Sequence, residues 1–404
     1  MEKKKKEKKW CHFRHIVTVA FLRFLLRPVL YFKCGFTFKK FQHDKRAYLI
    51  LYNHQTAYDQ FFVGYPFKNK TYYVTSDDLT LIPIISPIIK FLVHIIPYKK
   101  ASTDFSILRN CRQVASEGGN IAIAPEGNRT FSGKTGYINP TISKMIKFLK
   151  LPVAFAIIKG GFGVFPRFSD KTRRGSCTVE VTKVWEYDEY KDLSNDEITD
   201  IVKKELYRDE SLPDASFKSK RNAEYIERCI YLCPKCGVVH FKSKGETLEC
   251  PICHSKVRYT DTKQFEKLSG NIEFKTVSEW YDYQREELKK LKLLELDKDK
   301  ALFSDKTGFF EVIPRKFKKK ISKNALIELY PDRLEIKYDG NNRILSFDDI
   351  NSSGVFGKNK MNFYLNEHTY QFKSDKRFNP LKYVQYYYKY KMEKGENHDE
   401  FFGI

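Results

Sequence analysis

Residues 47–59 read AYLILYNHQTAYD, six apolar residues that stop abruptly at Asn53 and His54, with Asp59 five positions after the histidine. A run of that length, rich in aliphatic and aromatic side chains, predicts a strand buried on both faces, with the polar residues falling at its C-terminal end. Comparable runs follow at 71–75 (TYYVT), 120–124 (NIAIA), 152–158 (PVAFAII) and 177–184 (CTVEVTKV). The segments between them read as helices. One spans 104–115, capped by Asp104 and stopped at Gly118 and Gly119, and a second spans 141–149. Ser194 and Glu197 form a capping box that opens a third helix, from Asn195 to about Tyr207. The alternation predicts an α/β domain with a mixed sheet over 41–210.

The two polar segments at strand ends carry the chemistry. An imidazole can take a proton from a hydroxyl while a carboxylate holds the ring by its other nitrogen, and the spacing of His54 and Asp59, a little over one helical turn, can bring the two together. No Ser or Cys stands beside them, so the attacking group is expected to be the substrate's own hydroxyl. The second segment, Ala124-Pro125-Glu126-Gly127-Asn128-Arg129-Thr130, again follows a strand, where open α/β sheets place ligands. There Gly127 permits close backbone approach and Arg129 offers a planar fork of donors suited to a phosphate. Glu126 is expected either to hold Arg129 or to accept a substrate hydroxyl.

With these motifs the sequence resembles the glycerolipid acyltransferase family, of the 1-acyl-sn-glycerol-3-phosphate acyltransferase kind. Asn53, His54 and Asp59 match its first motif, and Pro125, Glu126, Gly127 and Arg129 its phosphate-binding motif. Leu151-Pro152-Val153 matches a later strand motif that helps shape the acyl pocket. Ile96-Pro97-Tyr98-Lys99-Lys100 matches an intermediate segment, with lysine where arginine is usual. The resemblance covers about residues 15–210. It implies direct transfer of a fatty acyl group from acyl-coenzyme A, acyl carrier protein or acyl phosphate to a lysophospholipid acceptor, most simply lysophosphatidic acid. His54 would be the base and Asp59 its orienter. Asn53, Lys100, Glu126, Gly127, Arg129 and Pro152 would contact substrate, and no cofactor would be needed for catalysis.

Outside this region, the chain opens with MEKKKKEKK, which holds six lysines, and continues into an apolar stretch at 16–32 that Arg23 and Arg27 interrupt and Pro28 is expected to break. That pattern fits neither a signal peptide nor a clean membrane span. Residues 1–40 therefore read as a basic tail and an interfacial helical segment on an anionic membrane surface, at its cytoplasmic face. The apolar segment 79–97, interrupted by prolines, Lys90 and His94, is expected to wall the lipid entrance. A net charge of +23 agrees with an anionic partner, and 42% hydrophobic with 15% aromatic content excludes global disorder. At 404 residues, the chain is long enough for two or three domains.

Beyond a Lys-rich stretch at 211–221, which reads as a linker, Cys233-Pro-Lys-Cys236 and Cys250-Pro-Ile-Cys253 form two knuckles thirteen residues apart. Four thiolates at that spacing predict a zinc ribbon over 225–260 with a structural Zn²⁺; His240 and His254 read as bystanders. A linker helix is expected over 275–298 and a β-rich, pleckstrin-homology-like domain over 320–395, with a tyrosine-rich closing helix. Lys235, Lys242, Lys244, Lys256 and Arg258, with Phe241 and Tyr259, permit an alternative reading as a ribbon that binds nucleic acid. It leaves the ordered strand-end motifs unexplained, which places nucleic acid behind lipid as the partner.

Overall fold

The computed structural model describes residues 9–41, 44–76, 91, 94–98, 106–313, 317–366 and 368–396. Lys100, the helix cap Asp104 and most of the apolar segment 79–97 lie outside the described residues. The chain divides into two compact units. The first gathers the residues up to Asn128 with Ile138–Gly161 and Ser176–Arg208; the second gathers Arg129–Tyr137, Phe162–Gly175 and the residues from Asp209 on.

The first unit is built on a seven-stranded sheet. Its strands are β1 (Phe36–Phe38), β2 (Leu49–Tyr52), β3 (Thr71–Ser76), β4 (Ile96–Tyr98), β5 (Asn120–Ile123), β6 (Val153–Lys159) and β7 (Cys177–Trp185), in the order β1-β7-β6-β2-β5-β3-β4. β2 lies between β5 and β6 and is parallel to both, with Leu49 opposite Ile121 and Val153. Only β6 and β7 pair antiparallel, so the sheet is mixed and mostly parallel. All four residues of β2 are buried, the physical reason the run is continuously apolar. Because β2 and β5 are parallel neighbours in register, the segments that follow them emerge at one end of the sheet.

Helix α1 (Phe13–Cys34) precedes the sheet, and a short helix α2 (Asp59–Phe62) follows β2. Helices α3 (Ser106–Ser116), α4 (Thr141–Leu149) and α5 (Asn195–Leu206) contribute Val114, Ile142, Ile146, Ile198 and Val202 to a core shared with Leu49 and Ile121. α5 carries the expected capping box: Ser194 Oγ accepts the Glu197 N–H at 3.2 Å and the Glu197 carboxylate accepts the Ser194 N–H at 2.7 Å.

The expected break at Pro28 does not occur. α1 runs through the proline, which removes a single i→i−4 bond, and ends where the Gly35 N–H donates to the Tyr31 carbonyl at 2.8 Å. The Glu117 carboxylate receives the N–H groups of Trp10 and Cys11 at 2.9 and 2.6 Å, which ties down the start of the helix. Arg23 donates to the carbonyls of Phe67 and Gly64, at 3.0 and 2.5 Å. The outer face exposes Phe13, Ile16, Val17, Phe21, Phe24 and Phe32. By length and composition α1 could cross a membrane.

The second unit carries the cysteine knuckles on a two-stranded ladder of β8 (Leu232–Cys233) and β9 (Gly237–Val238). Next comes a four-stranded antiparallel sheet of β10 (Lys242–Lys244), β11 (Thr247–Glu249), β12 (Lys256–Tyr259) and β13 (Phe265–Ser269). Helix α6 (Val277–Lys290) buries Trp280 against the rings of Phe241, Phe265 and Phe274, so the expected linker helix completes the ribbon's core. The stretch 211–221 is likewise no solvated tether. Phe217 is fully buried and lies where a Cβ on Gly163 or Gly175 would come within 2.4 Å of its ring.

The β-rich region begins at Phe303, ahead of the expected start. Its strands β14 (Phe303–Ile313), β15 (Phe317–Leu329), β16 (Arg333–Tyr338), β17 (Asn341–Ser346), β18 (Ser352–Phe356), β19 (Lys360–Leu365) and β20 (His368–Lys373) form one antiparallel sheet in the order β17-β16-β15-β14-β20-β19-β18. Helix α7 (Leu381–Glu393) closes it with Tyr383, Val384, Tyr387 and Tyr390 buried. A continuous core joins this sheet to the ribbon.

Candidate active site and metal centre

Asn53, His54 and Asp59 gather at the C-terminal end of β2. Asn53 is fully buried, and its side-chain amide pairs with both backbone groups of Ile158, at 2.8 and 2.9 Å. It thereby locks the end of β2 to β6. His54 and Asp59 do not share a helix. The histidine lies in the loop after β2 and the aspartate opens α2, and the loop between them curls around the carboxylate.

Asp59 Oδ2 lies 2.7 Å from His54 Nδ1 and accepts the backbone N–H of Gln55 at 2.7 Å, while Oδ1 accepts the Thr56 N–H and hydroxyl at 3.0 and 2.8 Å. A carboxylate oxygen that accepts backbone N–H groups is an acceptor toward the ring as well. Nδ1 therefore carries the proton and Nε2 is left as the base. The Asp59 side chain is wholly buried and that of His54 is 23% exposed, which leaves the imidazole reachable and the carboxylate shielded. Thr56, which the sequence reading passed over, also receives the Tyr58 N–H at 2.8 Å. A threonine three residues before an aspartate at a helix start is the local signal that would have found it.

Glu126 Oε1 accepts the backbone N–H of His54 at 2.7 Å, so the residue expected to hold Arg129 or a substrate hydroxyl reaches the neighbouring strand-end loop. The turn that carries it closes through the Gly127 N–H and the Ala124 carbonyl at 3.0 Å. Gly127 has φ of +67° with open space where a Cβ would stand, so backbone conformation and not crowding calls for glycine. Gly161 is the opposite case: a Cβ there would lie 2.8 Å from that of Gln55, so glycine lets the chain after β6 pass close to the histidine loop. Burial, then the charges of Asp59 and nearby groups, push the Tyr52 hydroxyl well above its ordinary pKa, so it stays protonated beside His54.

Pro152 is buried at the start of β6, where its carbonyl accepts the Leu49 N–H at 3.0 Å, so it sits at the opposite end of these strands from Asn53. Arg129 belongs to the second unit, where its backbone carbonyl accepts from Arg167 at 2.7 Å. A recess of about 620 Å³ in the first unit is lined by α1, Phe38 and Tyr65–Lys68 and includes neither His54 nor Asp59.

In the second unit the sulfur atoms of Cys233, Cys236, Cys250 and Cys253 all lie within 4.8 Å of one another, and those of Cys233 and Cys253 are 3.7 Å apart. Zn–S bonds of about 2.3 Å in a tetrahedron separate sulfurs by about 3.8 Å, so the donor set fits such an ion. Each knuckle is followed by a residue at positive φ, Gly237 at 77° and His254 at 58°, which gives the two halves the same turn. His240 and His254 stand outside this group, near Asp305 and Glu249.

A family model described as Acyltransferase matches residues 35–158. Among solved structures, the chain is similar to PlsC, the 1-acyl-sn-glycerophosphate (LPA) acyltransferase of Thermotoga maritima. The identity is 16% and the TM-score 0.40, over 46% of this chain and 75% of that one. It is also similar to the N-terminal PH domain of human ARAP2 protein, at 12% identity and a TM-score of 0.19, over 24% of this chain and 85% of that one. No curated protein sequence matches the chain.

Proposed function

We propose that this chain, whose residues 35–158 match a family model described as Acyltransferase, moves a fatty acyl group from an activated donor to the free hydroxyl of lysophosphatidic acid, giving phosphatidic acid. The observation that carries this reading is the 2.7 Å contact between His54 Nδ1 and the buried Asp59 carboxylate at the end of β2.

In this reading His54 Nε2 takes the proton of the acceptor hydroxyl as its oxygen attacks the acyl carbonyl carbon. The C–S bond of a thioester donor, or the C–O bond of an acyl phosphate, then breaks, and the imidazolium returns its proton to the leaving group. Asp59 keeps the ring in the productive tautomer and stabilises the imidazolium. Glu126 holds the His54 backbone, and Thr56 holds the Asp59 carboxylate. Arg129, Gly127 and Lys100 are assigned, on their motifs, to the acceptor phosphate, while Pro152, at the far end of β6 from His54, is left out of the site. The four cysteines are assigned to one Zn²⁺, which leaves no coordination position open for substrate and so serves the fold. α1 and the basic tail are assigned to the cytoplasmic face of an anionic membrane, with the exposed aromatic side chains among the acyl chains.

The test is acyl transfer by the full chain on anionic vesicles, with lysophosphatidic acid, glycerol-3-phosphate and lysophosphatidylcholine as acceptors and each of the three donor classes in turn. Formation of phosphatidic acid is expected. Lack of transfer to any phosphate-bearing acceptor with every donor overturns the reading.

A further inference from the structure

Arg167 is a buried guanidinium of the second unit. The residue is only 2% exposed, and among the described residues no carboxylate pairs with it. Burial first, and then the positive charge of Arg129, depress its pKa well below the ordinary value. A guanidinium in this position is costly unless its donors are satisfied.

Its donors are satisfied by backbone carbonyls from two distant parts of the chain. Nη1 donates to the carbonyl of Arg129 at 2.7 Å, Nη2 to that of Val355 at 2.9 Å and Nε to that of Gly357 at 3.0 Å. The guanidinium carbon stands 3.8 Å from the ring centre of Phe131, which supplies a cation–π face. Val355 lies on β18 and Gly357 in the turn leading to β19, while Arg129 and Phe131 belong to the segment that follows the Pro-Glu-Gly-Asn turn. A second fastening runs beside the first. Lys358, from the same turn, donates to the Ser169 carbonyl and to Asp170, and Asp170 is also held by Arg228.

We propose that Arg167 is a positioning residue for Arg129 and, through it, for the acceptor phosphate: its three-way bridge fastens the backbone of Arg129 to the β18–β19 turn, which makes the C-terminal β domain part of what holds Arg129 in place. This rests on the reading of Arg129 as a phosphate contact. The bond is made to the carbonyl of Arg129 itself, so it restrains the torsion that decides where that side chain leaves the chain. A planar fork is required because the three carbonyls are reached from three separate nitrogens of one rigid group, whereas the three N–H donors of a lysine radiate from a single nitrogen. The bridge gives a catalytic chain a reason to carry a β domain whose strands hold none of the motif residues.

The test uses the full zinc-loaded chain with Arg167→Lys and Arg167→Met, the first keeping charge and the second keeping length. Two readouts are taken on folded protein: amide hydrogen exchange over residues 129–137, and steady-state kinetics on lysophosphatidic acid and on monoacylglycerol, which lacks the phosphate. Exchange over 129–137 is expected to rise about tenfold while β2 and β5 keep their protection. KM for lysophosphatidic acid is expected to rise about tenfold with kcat held within about twofold, and turnover of monoacylglycerol is expected to stay unchanged. Unchanged exchange over 129–137 overturns the proposal, and so does an equal loss on both acceptors. If the Arg167 variants fail to fold, Lys358→Met, at a partly exposed position on the same turn, is expected to raise exchange over 129–137 by about two- to fivefold, and no change there overturns the proposal. Should the unmodified chain fail to acylate lysophosphatidic acid, the function assigned to Arg129 falls, and the exchange measurement still decides whether the bridge exists.

Discussion

At the scale of single residues, the decisive relation is between one reachable imidazole and one buried carboxylate. Asp59 does more than face His54: it closes the loop by accepting from Gln55 and Thr56, so its two oxygens serve geometry and electrostatics at once. Removing the base and misorienting it should therefore differ in structural cost. His54→Ala takes away a partly exposed ring and is expected to lower kcat by about 10²- to 10⁴-fold while circular dichroism and melting temperature stay near those of the unmodified chain. Asp59→Asn keeps the shape but offers a donor where an acceptor is needed. It is expected to lose comparable activity and also about 1–3 kcal/mol of stability, measured by denaturant titration, because a buried polar set becomes mismatched. Near-normal turnover in His54→Ala would remove the histidine from the mechanism.

At the scale of elements, two groups in the second unit invite measurement. The four-cysteine knuckles join strands of only two to four residues, so metal binding is expected to hold the knuckles together. Cys233→Ser with Cys250→Ser is expected to abolish the one zinc ion per chain found by metal analysis and to expose residues near 230–258 to protease, with the α/β sheet retained. Asp170 gives a pH signature. Burial alone would raise its pKa, but Arg228 and then Lys358 outweigh that and bring it from the ordinary 3.8 down to about 2. The folded state then binds fewer protons than the unfolded one, so the stabilisation is present above about pH 4 and is lost as pH falls toward 2. Asp170→Asn is expected to lower stability by about 2 kcal/mol at pH 7, with the gap from the unmodified chain closing near pH 2. A gap that persists undiminished at pH 2 would assign the loss to packing.

At the scale of the whole molecule, the sequence sets a lysine cluster directly before a helix with an exposed apolar face. α1 exposes a row of phenylalanines and is preceded by a lysine cluster, within a chain of net charge +23. Binding to anionic vesicles is expected to weaken with salt yet keep a salt-resistant part from apolar insertion. Deletion of residues 1–33 also removes the bonds of Trp10 and Cys11 to Glu117 and of Arg23 to the segment before β3, so its folding must be checked first. The folded truncation is expected to lose vesicle binding and to act less on membrane-borne acceptor than on a short-chain soluble one. Unchanged vesicle binding would move the anchor elsewhere.

The sequence alone was enough for the features that rest on local physics. The apolar run 49–52 and the strands beside it, the Ser194–Glu197 capping box, the cysteine knuckles and the pairing of His54 with Asp59 are all written in short windows, where periodicity, spacing and residue chemistry act directly. Other features depended on which distant groups meet. Pro28 could stay in a helix because the turns around it keep their own bonds, and the 211–221 stretch was ordered because Phe217 found space beside Gly163 and Gly175. Glu126 took the His54 N–H because β2 and β5 are parallel neighbours, which composition cannot show. Arg167 stands 38 residues from Arg129 and nearly two hundred from Gly357 in the chain. No local pattern marks such a residue, since the satisfaction of a buried charge is decided only when the chain has folded and its carbonyl partners have been brought to it.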